Sequence, residues 1–344
     1  MMENFSMARE RMCSRETSIF IVSLVLLSLG LARSAESASF DCVKARSPKE
    51  KLICQDGILS ASDASLGQVY HLRYLRLSKT GQRLLEHSED GWLNYVSLVC
   101  PLSKTSDASA AASCLEKEYH YREEQLQDVG QRIGPFVFNR IDLFSAHPVA
   151  DDETGGNPGF ATRIISYPQI DNVSNAYEAE WNKNAAQTTV DEACDVGDYL
   201  SSYEINLASR LLIALTWSRS FYCHGTPHGE GESTSDNQVF RPRPSPIKVS
   251  DLFKVDSAWK QTLQGLFWRQ LTNAGWSPPH DNADHVKESL LALVVMPERW
   301  ILKKDGLSVS YNSYEGGCYA CSPPAVKLTW HDLTSVLAPY AVVK

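Results

Sequence analysis

The chain has no surplus of positive charge. Its 33 Lys and Arg are outnumbered by 41 Asp and Glu, which leaves a net charge of −8. Nucleic acid and anionic membrane surfaces attract clustered cations, so neither is an expected partner. No apolar run after residue 32 reaches the roughly 20 residues that a bilayer crossing needs. There is no internal repeat, and Arg241-Pro242-Arg243-Pro244 is too short to count as a low-complexity segment. Also missing are Gly-x-Ser-x-Gly, a phosphate-binding glycine loop and His-Glu-x-x-His. Their absence removes the serine hydrolase, nucleotide-binding and zinc protease readings that those motifs would carry. A dispersed Ser or Cys triad stays open, because triads need no proximity in sequence.

What is present first is a leader-like start. Arg9, Arg11 and Arg15 precede an apolar run from Ile19 to Ala32, and small residues follow at Ala32-Arg33-Ser34 and Ala35-Glu36-Ser37. This is the layout of a secretory signal peptide over residues 1–37, with no cysteine placed for a lipid anchor. The expected mature protein is periplasmic or secreted and free of the membrane. At 344 residues and 43% hydrophobic, the chain has enough material for two ordinary domains after the leader is removed. The break is expected near Gln131 to Pro135, which gives domains of 38–133 and 134–344. The first carries a net charge of −1 and the second −7. The acidic half should attract basic proteins.

Nine cysteines occur, and Cys13 lies in the leader. The remaining Cys42, Cys54, Cys100, Cys114, Cys194, Cys223, Cys318 and Cys321 form an even set. After an export signal, that suits disulfides in an oxidising compartment. Sequence leaves the connectivity open. Locality favours Cys42–Cys54, Cys100–Cys114, Cys194–Cys223 and Cys318–Cys321, each contributing about 2–4 kcal/mol by restricting the unfolded chain.

The N-terminal part is helical by pattern. Ser47-Pro48-Lys49-Glu50 reads as a capping box with proline in the first turn. A second helix is expected to start at Ser60-x-x-Asp63 and to carry Leu66, Val69, Tyr70 and Leu77 on one face, with Gly81 breaking or bending it. Leu84, Leu85, Trp92, Val96 and Val99 form the next apolar face, which ends at Pro101. Lys104 to Ala112 reads as a loop, and a last helix carries Leu115, Tyr119 and Leu126. Trp92, Tyr70 and Tyr119 stand at core spacing, and Asp63 and Arg122 are candidates for a buried pair. The expected object is a small disulfide-linked helical bundle.

Beyond residue 134 the pattern turns to strands mixed with helices. Strands are expected around Phe136–Phe144, Ile164–Ile170, Tyr199–Ala208, Leu211–Tyr222 and Ala325–Thr329. Asp305-Gly306 between two alternating runs is a hairpin signal. Helices are expected over Asn175–Gln187, Asp256–Asn273, 284–295 and His331–Leu337. Asp151–Pro158 and His224–Asn237 read as loops. The fold class is therefore α+β: a helical bundle followed by a mixed domain with an antiparallel sheet.

Phe40-Asp41-Cys42, Lys44-Ala45, Ser47, Glu50, Ile53-Cys54, Leu59-Ser60, Asp63, Leu66, Tyr70, Trp92-Leu93, Cys100, Cys114-Leu115, Tyr119 and Arg122 occur in an order that resembles the LprI-type lysozyme-inhibitor domain. Further on come Ile165-Ser166-Tyr167-Pro168-Gln169-Ile170, Tyr222-x-x-Gly225-x-x-His228 and Val249-x-Asp251-Leu252-Phe253. Asp305-Gly306-Leu307 and Val326-x-Leu328-x-Trp330-x-Asp332-Leu333 complete that set. It resembles the lysozyme-binding extracellular domain of RsiV-type anti-sigma factors. This chain has His224-Gly225-Thr226-Pro227-His228 where that family often shows Gly-Gly-Ala-His. Both resemblances imply an exported binding protein for lysozyme or a related basic envelope protein, not an enzyme, with no cofactor.

Two loops are candidates for the contact. One is Glu315 to Cys321, which bears Tyr319. The other is Cys223 to Glu232, which bears His224 and His228. Tyr319, Glu315, His224 and His228 are the expected partner-binding residues. Cys318-Tyr319-Ala320-Cys321 has redox-motif spacing, but it sits among Gly316-Gly317 and Pro323-Pro324, where a structural clamp is the better reading. Cys223, His224, His228, Glu230 and Glu232 have metal-capable side chains, but they lie on a glycine-rich loop with a cysteine expected to be cross-linked, so a solvated loop is the better reading. Two other functions are compatible with the sequence: a periplasmic scaffold or sensor for another envelope protein or glycan, and a cell-wall enzyme with a dispersed site.

Overall fold

In the computed structural model the described residues are 38–102, 107–150, 159–186, 194, 196–255 and 258–343. The expected leader, Cys13 within it and the expected 151–158 loop lie outside them. The described residues belong to one compact unit.

The chain opens with helices α1 (Pro48–Gln55), α2 (Gly57–Tyr74), α3 (Lys79–Val99) and α4 (Ala108–Gln127). Ser47 accepts a bond from Glu50 N, and the Glu50 carboxylate accepts from Ser47 N, which completes the capping box. Three expected boundaries shift. Helix α2 starts at Gly57, not at Ser60, because the Asp56 carboxylate already caps Ile58 N and Leu59 N. Gly81 does not break a helix, since it stands in the first turn of α3 under the Ser78 cap. Of the expected 104–112 loop, 104–106 lie outside the described residues and Ala108 to Ala112 belong to α4, because Asp107 caps that helix at Ser109 N. Disulfides Cys42–Cys54 and Cys100–Cys114 tie the helix ends. Trp92, Tyr119, Leu85, Leu115 and Leu126 are buried among the helices.

Strands follow as β1 (Gln131–Ile133), β2 (Phe136–Val149) and β3 (Gly159–Ile170). Helix α5 (Ala176–Ala185) then leads to β4 (Gly197–Ala208), β5 (Leu212–Cys223), β6 (Glu230–Phe240) and β7 (Pro244–Pro246). The sheet order is β1-β2-β3-β4-β5-β6-β7. Every pairing is antiparallel except β3 with β4, which are parallel over Arg163–Ile165 and Tyr199–Ser201. The expected hinge at Gln131–Pro135 is strand β1 and the tight turn at Gly134-Pro135 that leads into β2. Gly134 there has φ +57°, and a side chain on it would collide with the Ala208 carbonyl. The expected loop from His224 to Asn237 ends early, because Glu230 onward pairs with β5 as strand β6.

Helices α6 (Trp259–Asn273) and α7 (Ala283–Val294) and a small sheet of β8 (Trp300–Lys303), β9 (Gly306–Val309) and β10 (Lys327–Thr329) complete the fold. Asp305-Gly306 closes the β8–β9 hairpin as its sequence indicates. Leu263, Phe267, Leu290, Val294 and Trp300 form a core against Leu212, Ala214 and Val239 of the large sheet. The expected helix at His331–Leu337 is instead a run of turns, and its end bridges Leu337 to Phe253.

Helices and sheet are joined by buried charge. Arg122, fully buried on α4, donates to Asp142 of β2 at 2.8 Å and to Glu89 of α3 at 3.0 Å. Arg140 donates to the other Asp142 oxygen at 2.8 Å and to Asp128 at 3.0 Å. Ser166 of β3 donates to Asp142 at 2.6 Å, and Ser88 of α3 donates to the Asp142 carbonyl at 3.0 Å. The expected Asp63–Arg122 pair does not form, because Asp63 accepts from Ser39 N and the Tyr119 hydroxyl. Burial alone would raise the Asp142 carboxyl, but Arg140, Arg122 and the Ser166 bond outweigh it and hold the group below its ordinary value.

Removing one partner strands the others without water. Arg122→Ala is therefore expected to lower the unfolding free energy by about 3–5 kcal/mol in urea titrations followed by circular dichroism. Acid should act through the same cluster. The Asp142 contribution is present above the unfolded value, about 3.9, and is lost as the pH falls from there through the depressed folded value. Glu89 acts in the opposite sense: burial outweighs Arg122 and raises its carboxyl, so its protonation relieves a cost before the Asp142 loss sets in.

Candidate functional site

The two loops read from the sequence meet. The Cys318–Cys321 disulfide closes a turn inside a segment with no helix after it, so a helix-borne redox site is not built here. Gly317, just before this turn, has φ +100°, a conformation open to glycine, and a side chain on it would press on Val286 and Pro279. The Tyr319 ring lies 4.4 Å from the His228 ring, and its hydroxyl donates to the Gly229 carbonyl at 3.2 Å. Tyr314 stands 5.7 Å from Tyr319 on the other side. Tyr319 and Tyr314 keep 45% and 52% of their surface exposed, so the corner is ordered and still presents aromatic faces.

The other two expected contact residues turn elsewhere. Glu315 pairs with Arg299 at 2.8 Å and accepts from Asn312 N at 2.8 Å, which braces the loop from within. His224 lies 3.2 Å from Asp198, which also accepts from Thr162 N. Glu232 pairs with Arg219. The Cys223–Glu232 segment thus spreads its metal-capable side chains over separate partners. Among the described residues no group of three or more His, Cys, Asp or Glu stands close enough to hold a metal ion.

One expected disulfide is corrected. Cys194 and Cys223 are free thiols, within hydrogen-bonding reach of each other, while the three other local pairs are closed. The bond from Cys194, followed by burial, pushes the Cys223 thiol up to about 11.

Behind the corner runs a groove of about 940 Å³ between α4 and the sheet, large for a small-molecule site. Trp92, Tyr95, Phe144 and Ile164 lie along it beside Glu118 and Tyr121 of α4. Asp198 to Leu200 of β4 and Phe221-Tyr222 of β5 line the opposite wall, and Gly229 to Gly231 and Tyr319 close the end. Burial raises the Glu118 carboxyl, with Lys117 opposing weakly. Sequence reasoning did not find this groove. Its residues come from two helices, five strands and the loops beside them, and they lack a common spacing.

With Cys194 and Cys223 reduced, alkylation of the native chain is expected to label Cys223 slowly at neutral pH and faster as the pH nears 11. Peptide mapping should show Cys42–Cys54, Cys100–Cys114 and Cys318–Cys321 linked, and mild oxidation should then add Cys194–Cys223.

Among the described residues no helix is long and apolar enough to cross a membrane. No curated protein matches the chain. Solved structures resemble part of it, two of them from one family. One is a DUF3298 family member from Bacteroides fragilis, 17% identical, covering 62% of this chain and 98% of that one at a TM-score of 0.41. The other is a DUF3298 family protein from Pseudomonas aeruginosa, 14% identical, covering 60% and 96% at a TM-score of 0.39. A family model described as a protein of unknown function, DUF3298, matches residues 250–331.

Proposed function

We propose that the chain is an exported binding protein, not an enzyme, whose partner is a basic lysozyme-type glycosidase. The observation that carries this reading is the meeting of the stapled loop with the 224–229 loop, which leaves Tyr319 ordered by His228 and Gly229 yet 45% exposed. Lysozymes hold two carboxyl groups in a cleft that a rigid aromatic projection can fill. The acidic balance of residues 134–344 would steer a basic enzyme toward the chain and speed its encounter. The ordered residues lose little freedom on binding, which favours affinity. The LprI-type and RsiV-type resemblances of the two halves support the same partner.

Three disulfides between local cysteines suit an oxidising compartment and support export. In this reading Glu315 and His224 hold the two loops in shape, while Tyr319, Tyr314 and His228 make the contact.

Titration against lysozymes of several classes, by calorimetry and in a cell-wall clearing assay, tests the proposal. Binding is expected below tens of micromolar and should weaken with salt. Tyr319→Ala should cost about 2 kcal/mol of binding energy while leaving the thermal transition in place. Failure to bind any class at tens of micromolar would overturn the reading.

A further inference from the structure

We propose that the groove between α4 and the sheet receives an organic cation, the guanidinium or ammonium of a partner's Arg or Lys side chain, with the Glu118 carboxylate as its counter-charge. The inference rests on the basic-partner reading for the source of the cation, and on the groove itself for the chemistry.

The charges around the groove decide its preference. Arg122 is matched by Glu89 and Asp142, and Arg140 by Asp128 and Asp142. Asp198 faces His224, and Glu124 faces His120 at 3.3 Å. Glu118 and Glu230 have no ion pair or side-chain hydrogen bond among the described residues, and Lys117 is the opposing cation at the rim, 5.6 Å over the Tyr121 ring. The unmatched charge inside the groove is therefore negative.

Glu118 is partly withdrawn from water and has no ion-pair partner among the described residues, and a bound cation supplies one. Tyr95, which feels both Glu118 and Asp198, lies 5.6 Å from Phe144. Tyr121 and Tyr222 stay 49% and 39% exposed at the walls. Aromatic faces beside a carboxylate suit a cation, whose charge is attracted by the ring faces. An anion would be repelled, and a neutral sugar could stack on the rings but would leave the Glu118 charge unmatched. Tyr319 of the corner also lines the groove, so a partner docked on the corner has a basic side chain within reach of it.

The test uses the purified full chain and a short uncharged-backbone peptide carrying two arginines, followed by calorimetry and by side-chain NMR of the groove tyrosines. Binding should shift Tyr95 and Tyr121 resonances, weaken with salt, and fall about tenfold in Glu118→Gln, equivalent to about 1.4 kcal/mol. Lys117→Gln, which removes the competing cation, should raise affinity by about threefold, a gain that damage to the fold would not give. Acid should weaken binding as Glu118 takes up a proton.

Equal affinity for the citrulline analogue would overturn the proposal. So would a chitooligosaccharide that binds the groove equally well in Glu118→Gln, or peptide binding that is lost in Tyr319→Ala but untouched in Glu118→Gln. If the peptide binds through Glu118 while no lysozyme binds, the groove assignment stands and only the choice of partner falls. If lysozyme binds but the peptide does not, the corner stands and the groove assignment falls.

Discussion

Asp142 sits at the junction of the helices and the sheet with an arginine on either side. Arg122 reaches it from α4, Arg140 from its own strand, and Ser166 from the neighbouring strand. A carboxylate buried this deeply is tolerable only when its partners are complete, because a charge without water or a counter-charge is costly inside a protein. The geometry is correspondingly demanding: α3, α4, β2 and β3 must all be in register for the cluster to close. That demand sets where α4 lies over the sheet, and so sets the width of the groove beside it.

The same cluster shapes the electrostatics of the groove. Two of the cations that line it are consumed by the cluster, so a wall rich in arginine on paper presents little free positive charge. What remains is Glu118 on α4, Glu230 at the far end and Lys117 at the rim. The aromatic corner is built by separate means. A short disulfide loop, a glycine in a left-handed turn and the Arg299–Glu315 pair hold Tyr319 against His228. Groove and corner adjoin, which gives one contact surface a rigid edge and a charged interior.

Much of this was legible in the residues. The Ser47 capping box, the Asp305-Gly306 hairpin, the strands over Ile164–Ile170 and Leu211–Tyr222 and three of the four local disulfides each follow from a short-range signal, and the structure has them. The misses share a cause. The start of β6 reads Glu-Gly-Glu-Ser-Thr-Ser, a polar run without strand character, and it is a strand only because β5 offers it hydrogen bonds. The polar face at Thr329–Thr334 satisfies its backbone with side-chain bonds and turns in place of a helix. Arg122 was visible as a residue of interest, but its partners stand on α3 and β2, beyond the reach of helical spacing.

The sequence by itself determined the α+β class, most element positions, the acidic balance of the second half and the two loops that bear Tyr319 and His228. These depend on local periodicity, capping and turn chemistry, which neighbouring residues settle among themselves. Only the tertiary structure decided that the two loops touch, that Glu315 and His224 turn inward, that Cys194 and Cys223 remain thiols, and that Glu118 has no ion pair among the described residues. Each of those outcomes turns on which distant side chain arrives first at a given charge or ring, and that competition is settled by packing.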